Sequence, residues 1–427
     1  MIDPRLLLNE FDSVTRKLAR KGVDAPALTA LRDLLVRERA VRLRVEEQRA
    51  RVNKVSAEIG ELAAKKGKEA AAALIEDMQQ FKGELALAEQ ELAVLEAQTR
   101  DGLLRIPNLP AEQAPAGADE RSNVVLRTQG YDPASYLGRT FKPHWEIAEA
   151  LGIYDAERAA KISGAMFALL RADGAKLLRA LVQFGLHLNA ANYEEILPPH
   201  FVRTETFTAT GHLPKFEAEA YRLRDDELWA IPTGEVPLMS LHRDEILPVA
   251  ELPKRYMAYT VCFRREAGSA GKDTRGMQRL HEFHKVELLK LCAPEQVQPE
   301  FEAMLADAER PLQLLGLPYR VVDLCAGDLT FSSARIYDLE VYAPGVDKWL
   351  EVSSVGIFTD FQARRGNIRF RREKSKPEYV HALNGSALAT PRVWAALIEH
   401  GQQPDGSVVL PPAIVPFMGK DRISRKA

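Results

Sequence analysis

Residues 255–291 read RYMAYTVCFRREAGSAGKDTRGMQRLHEFHKVELLKL, and the fold turns on them. From Arg255 the pattern alternates with a period of two. That predicts a strand with Tyr256, Ala258, Thr260, Cys262, Arg264 and Glu266 on one face and Met257, Tyr259, Val261, Phe263 and Arg265 on the other. Residues 267–278 are rich in glycine and charge, too polar for a core. The chain then returns as a second strand with Arg279, His281, Phe283, Lys285 and Glu287 on one face. The two halves form a long hairpin whose face offers Arg264, Glu266, Arg279, Phe283 and Glu287. A salt-bridged surface hairpin would look similar. The isolated phenylalanine tips the reading toward a site, because an aromatic ring flanked by guanidinium groups suits a planar base beside a phosphate. Two other motifs fail on spacing. A phosphate loop would need glycine at Glu266 and a hydroxyl at Asp273, and His281-Glu282-Phe283-His284 is one residue short of HExxH.

Three further clusters carry polar chemistry. In Ile231-Pro232-Thr233-Gly234-Glu235, alternation puts the Thr233 hydroxyl and the Glu235 carboxylate on one side, suited to an ammonium. Glu340 with Glu351-Val352-Ser353-Ser354 supplies carboxylates and hydroxyls of the kind that hold Mg²⁺ near polyphosphate. Asn384-Gly385-Ser386-Ala387-Leu388-Ala389-Thr390-Pro391-Arg392 leads from small residues into a helix, a pattern that packing alone often produces. Around these clusters, helical stretches at 175–193 and 294–316 alternate with short period-2 segments without a regular βαβ rhythm. This predicts an α+β domain with a mostly antiparallel sheet.

Upstream the period changes. Leu34, Glu38, Val41, Val45, Gln48, Val52, Val55, Ile59 and Leu62 follow 3-4 spacing. After a break at Lys65-Lys66-Gly67-Lys68 so do Leu74, Met78, Phe81, Leu85, Ala88, Leu92, Leu95, Thr99 and Gly102. Two heptad helices joined by a turn predict an antiparallel coiled-coil hairpin, an arm on the order of 50 Å long. Residues 105–123, RIPNLPAEQAPAGADERSN, have a linker composition, so the expected domains are 1–110 and 111–427.

The 427 residues carry 58 basic and 60 acidic side chains, net −2, which taken whole argues against nucleic acid. Residues 32–68 hold eleven Lys or Arg against six acids, +5, and residues 69–101 hold two against eight, −6. Charged outer positions could serve only solubility. Alternatively Arg32, Arg37, Arg39, Arg42, Arg44, Arg49, Arg51 and Lys54 form a stripe for a phosphate backbone, with the acidic helix facing away. Three widely spaced cysteines, Cys262, Cys292 and Cys325, fit neither a disulfide framework nor a zinc site and suggest a reducing, cytoplasmic compartment. The longest uncharged runs, 14 residues at 180–193 and 406–419, fall short of the ~20 that cross a bilayer, so no membrane is expected. The start, MIDPRLLLNEFD, does not read as a signal peptide.

Phe263-Arg264-Arg265-Glu266-Ala267-Gly268-Ser269, with Gly276 and the run from Arg279 to Glu287, resembles motif 2 of the class II aminoacyl-tRNA synthetases in its seryl form. Residues 384–392 resemble motif 3, and Leu197-Pro198-Pro199 resembles the motif 1 proline at a dimer interface. Thr233-Gly234-Glu235, residues 338–342 and 360–365, and the helical hairpin are similar to further signatures of that family. The resemblance covers nearly the whole chain. It implies a bacterial-type homodimer that activates L-serine with ATP and Mg²⁺ and loads tRNA-Ser, with tRNA-Sec left open as a second acceptor. By motif, Arg264 would contact the ATP α-phosphate and the serine carboxylate, Glu266 the adenine amino group, and Phe283 with Arg392 would sandwich the base. Arg265, Val352 and Ser353 fall within the ATP motifs. Glu351 and Ser354 would hold Mg²⁺ and phosphate, and Glu351 joins Arg264 and Arg392 as the groups nearest the chemistry. Thr233 and Glu235, with Gly234 between them, would take the serine amino group, while Glu287 and Ser386 would check its hydroxyl. Gly234 stands where the family usually has alanine, Arg265 where it has serine, and Ser354-Val355-Gly356 lacks a common cysteine. Strand alternation predicts that Gly234 and Arg265 point away from the site face.

Overall fold

A computed structural model describes residues 1–267 and 275–425, so the Gly268-Ser269 pair and most of the loop around Lys272 lie outside the described residues. The chain divides into two compact units, Ile2–Ile106 and Met1 with Pro107–Ala427.

In the first unit, helices α1 (Ala25–Lys66, 42 residues) and α2 (Ala72–Leu104, 33 residues) form the hairpin. At 1.5 Å per residue they span about 63 and 50 Å. Val41, Val45, Ala88 and Leu95 are buried between them, flanked by Leu34, Leu85 and Leu92, so the heptad seam is the packed one. Two of its three polar positions, Glu38 and Thr99 but not Gln48, meet each other: the Thr99 hydroxyl donates to the Glu38 carboxylate across the hairpin. The charge stripe behaves differently from expectation. Arg42 pairs with Glu96, Arg44 with Glu91 and Arg49 with Glu89, while Arg51 stacks on Phe81 at 3.6 Å. The acidic helix therefore neutralises part of the basic one instead of facing away, because flanking positions of adjacent antiparallel helices lie within ion-pair reach. Among the described residues, exposed Arg37, Arg39 and Lys54 have no ion pair.

The second unit is built on one eight-stranded sheet. Its strands are β1 (Val124–Gln129), β2 (Glu194–Glu195), β3 (Lys254–Phe263), β4 (Glu282–Cys292), β5 (Tyr319–Asp323), β6 (Arg335–Ala343), β7 (Lys348–Thr359) and β8 (His381–Ala389). They lie in the order β1-β5-β6-β7-β8-β4-β3-β2, antiparallel throughout except for β2 beside β3. The α+β architecture is thus the observed one. Alternation along β4 divides the molecule. Val286, Leu288 and Cys292 point into a core shared with Leu339 and Val341 of β6 and covered by helices α3 (Ala172–Asn189), α4 (Val297–Leu314) and α5 (Thr390–Gly401). Phe283, Lys285 and Glu287 occupy the opposite face, and farther along it Leu289 and Leu291 join a second apolar cluster. One strand thus carries a core on one side and a polar site on the other.

Two expectations need correction. Residues 107–123 are no free linker: the buried Asn108 amide donates to the Ser332 and Phe358 carbonyls at 2.9 Å, and Ala111 N–H donates to the Ala334 carbonyl at 2.8 Å. A proline-rich segment suits an extended run laid along a sheet as well as it suits a tether, since it lacks the amides a strand would need. The hairpin strands also stop short. β3 ends at Phe263, and Glu266 has φ +51°, while Arg279 and His281 precede β4. Strand alternation does not reach Glu266. The turn brings it to Arg279 instead.

Candidate active site

A cavity of about 740 Å³ opens on the polar face of the sheet. Thr233, Glu235, Arg264, Glu266, Phe283, Glu351, Val352, Ser353, Ser354, Ser386 and Arg392 all line it. Gly234, Arg265 and Glu287 are not among its lining residues, for different reasons. Glu287 is fully buried just behind the wall. Arg265 is exposed, its N–H donating to the Glu219 carbonyl. Gly234 is not in a strand at all: residues 233–234 enter the short helix Glu235–Met239. A Cβ on Gly234 would sit 3.0 Å from the Glu287 Cβ and 3.1 Å from the Thr260 hydroxyl oxygen. So it faces the site's back wall, contrary to the alternation reading, and alternation gives no reason for its identity.

The back wall is set by register. Glu287 of β4 lies opposite Ala258 of β3 on one side and Ser386 of β8 on the other. Its carboxylate accepts from the Thr233 hydroxyl, from Asn384 Nδ2 at 3.0 Å, and from the Lys285 ammonium. Three donors around one buried charge make a preorganised acceptor. Next to it, Glu235 is 7% exposed, and Gln362 Nε2 donates to its Oε1 at 2.5 Å. Burial pushes this carboxyl up to about 7 from 4.5, and the nearby Glu287 adds to the rise. His212, also on the cavity wall, is driven down to about 3 by burial and by Arg264, and stays neutral.

The other end of the cavity is cationic and aromatic. The Arg264 guanidinium lies 5.0 Å over the Phe283 ring, and its Nε donates to the Pro232 carbonyl at 3.3 Å. Glu266 is paired with Arg279. Arg392, at the start of α5, donates from Nε to the Gln278 carbonyl at 3.0 Å and from Nη1 to the Glu351 carbonyl at 2.7 Å.

Across β6 and β7, Glu340 is opposite Glu351 and Asp338 is opposite Ser354, with a bulge between Glu351 and Ser353. The Ser354 hydroxyl lies 2.5 Å from Asp338 Oδ1 and 3.3 Å from Glu351 Oε1. Burial holds the Asp338 carboxyl well above the ordinary range, with the Glu351 charge as the next cause. Among the described residues no group of three or more metal-ligating side chains is gathered. Of the three carboxylates here Glu340 is paired with Arg320, which leaves Glu351 and Asp338 beside the Ser354 hydroxyl as the donor set. It suits Mg²⁺, which dehydrates reluctantly and is held mainly through substrate phosphates.

The sequence motifs assign no role to Lys285 or Asp338, though both fall within the motif stretches. Lys285 sits two residues from Phe283 and from Glu287 on one strand face, a signal alternation could have read. Phe207, Thr210, His212 and Phe331 line the cavity from segments that give no sequence sign of doing so.

Comparison with known proteins covers both units. The Seryl-tRNA synthetase N-terminal domain family matches residues 1–110, and the tRNA synthetase class II core domain family (G, H, P, S and T) matches residues 215–401. A serine--tRNA ligase of Geobacillus sp. is 50% identical over 428 residues, covering all of both chains. One from Syntrophobacter fumaroxidans is 49% identical over 422 residues, 98% of this chain and 99% of its own. The crystal structure of seryl-tRNA synthetase from Pyrococcus horikoshii complexed with ATP superposes with TM-score 0.92 at 33% identity over the full length of both chains. That of the cytoplasmic serine-tRNA ligase from Naegleria fowleri in complex with AMP gives 0.87 at 26% identity, covering 100% of this chain and 99% of its own.

Proposed function

The chain belongs to the seryl-tRNA synthetase family, and from that premise we propose which of its side chains carry each part of a serine--tRNA ligase reaction. The activity is that of a class II aminoacyl-tRNA synthetase that binds ATP. The observation that carries the assignment is the gathering of Thr233, Glu235, Arg264, Phe283, Ser386 and Arg392 around one cavity, with Glu287 behind it.

Serine binds at the back wall. Its ammonium is taken by Glu235 and Thr233, its carboxylate by Arg264, and its hydroxyl by Glu287 and Ser386. The serine hydroxyl brings the buried Glu287 carboxylate a further donor beside Thr233, Asn384 and Lys285, a charge-assisted hydrogen bond that alanine cannot make. ATP lies toward the rim, its base between Phe283 and Arg392 and its amino group at Glu266. Arg264 is then within reach of both reacting groups. In-line attack of the serine carboxylate on the α-phosphorus needs no protein nucleophile. Positioning and guanidinium charge lower the barrier, and pyrophosphate leaves. Glu351 and Ser354, with Asp338 beside them, would hold Mg²⁺, which supplies charge neutralisation on the phosphates. Arg265 and Gly234 are adjacent to this machinery, and Val352 and Ser353 form part of its wall.

Residues 1–110 are the tRNA-Ser-binding arm and residues 111–427 the catalytic domain. Pairing of Arg42, Arg44 and Arg49 leaves Arg37, Arg39 and Lys54 as the better phosphate contacts. Exposed Leu197, beside Pro198 and Pro199 after α3, supports a homodimer contact there. Three buried free cysteines suit a cytoplasmic setting, and no described helix is long and apolar enough to cross a membrane.

Serine-dependent ATP–pyrophosphate exchange and charging of a tRNA-Ser transcript test the reading. Deleting residues 32–100 should spare exchange and abolish charging. Absence of exchange with serine in the full chain would overturn the assignment.

A further inference from the structure

Helix α5 grips the end of the loop within motif 2 twice. At its start, Arg392 donates to the Gln278 carbonyl. Two turns on, Glu399 is fully buried against His144, also fully buried. Glu399 Oε1 accepts the His144 backbone N–H at 3.0 Å and lies 2.7 Å from His144 Nδ1, and its Oε2 accepts the Gly345 N–H at 2.8 Å. The other ring nitrogen, Nε2, accepts the N–H of Met277 at 3.0 Å. A backbone N–H can only donate, so Nε2 must present its lone pair and the ring proton sits on Nδ1, donating to Glu399. Consecutive residues 277 and 278 are thus tied to one helix, the first through His144 and Glu399 and the second through Arg392.

The surroundings are built to this tie. Gly276 has φ +64°, and a Cβ there would stand 2.2 Å from His144 Nε2; a Cβ on Gly345 would stand 2.8 Å from the Glu399 carboxyl carbon. Only glycine lets both backbones close on the pair. Met277 and Gln278 line the cavity, whereas His144 and Glu399 do not.

We propose that His144 is a positioning residue for ATP: by fixing the Met277 N–H it sets the Gln278 carbonyl, and with it the plane of the Arg392 guanidinium. This rests on the reading of Arg392 as an ATP contact. Apart from Arg264, which follows β3, the serine subsite hangs from β4, β8 and the turn at Thr233, none of which His144 hydrogen-bonds.

The experiment compares H144N, H144Q and R392A in serine-dependent pyrophosphate exchange, with melting curves for each. Asparagine carries its amide nitrogen near the Nδ1 position, keeping Glu399 but losing Met277. Glutamine reaches the Nε2 position, offering its oxygen to Met277. H144N should raise the KM for ATP about tenfold, the scale of one buried donor left unsatisfied, with the KM for serine within twofold. H144Q should bring the ATP KM back to within threefold of wild type even if its melting temperature stays low. If R392A leaves the ATP KM unchanged, the ATP assignment itself fails. If R392A raises it while H144N does not, or if H144N moves both KM values alike, His144 is a structural tie only. Should H144N not fold, a tenfold rise in the ATP KM of H144Q overturns the proposal.

Discussion

Serine binding should tighten as pH rises through neutrality, with Glu235 as the cause. Its carboxyl is held at about 7 chiefly by burial, so the free enzyme keeps a proton there that an exposed glutamate would have lost. An ammonium binds only the ionised form. The ionised fraction of such a group is roughly 0.03 at pH 5.5 and roughly 0.76 at pH 7.5, a change of about 25-fold in apparent affinity, or about 2 kcal/mol. The same shift sets a stability term. Because the folded value exceeds the unfolded one of 4.5, folding holds the proton more tightly. The stabilisation is complete below pH 4.5 and is lost as pH rises through 7, on the order of 3 kcal/mol in all. Free enzyme should therefore lose melting temperature across that window, while the stabilisation given by added serine grows. Calorimetric titration of serine from pH 5.5 to 7.5, in buffers of different ionisation heat, should show close to one proton released per serine at the acid end. Glu235→Gln should flatten both the affinity profile and the proton count. Affinity constant within twofold across the range, or an unchanged slope in Glu235→Gln, would refute the assignment of Glu235 to the ammonium.

Glu287→Gln keeps a hydrogen-bonding side chain between Thr233 and Asn384 but removes the charge facing Lys285. The ratio of serine to alanine exchange rates should fall at least tenfold, and an unchanged ratio means that Glu287 does not read the hydroxyl. Thr99→Val removes the donor to Glu38 in the arm seam and should cost about 1 kcal/mol in helix melting followed by circular dichroism; no loss would show the pair to be idle. Glu351→Gln should raise the Mg²⁺ concentration for half-maximal exchange several-fold, and an unaltered requirement would place the ion elsewhere.

Periodicity made the arm legible because a coiled coil is a local rule: side chains four and three apart must meet a neighbouring helix wherever it lies. It even marked Glu38 and Thr99 as exceptions, although only the folded hairpin pairs them with each other. Charge was less legible. A count along the chain separates a basic helix from an acidic one, but whether they cancel depends on which arginine faces which glutamate, as Arg44 faces Glu91.

In the catalytic domain, alternation placed Phe283 and Glu287 on one face, since the period of two is a property of the strand itself. It failed where the strand ended. Glu266 turns in a left-handed conformation and Gly234 enters a helix, so neither follows strand alternation. The amino-acid sequence by itself determined the two architectures, the motif residues and the family. The tertiary structure alone decided what surrounds each charge: three donors on Glu287, burial on Glu235, and a buried histidine, 133 residues upstream of Met277, joining that residue to the helix of Arg392. Local pattern follows from chain geometry. Desolvation and long-range hydrogen bonds exist only once distant segments are packed together.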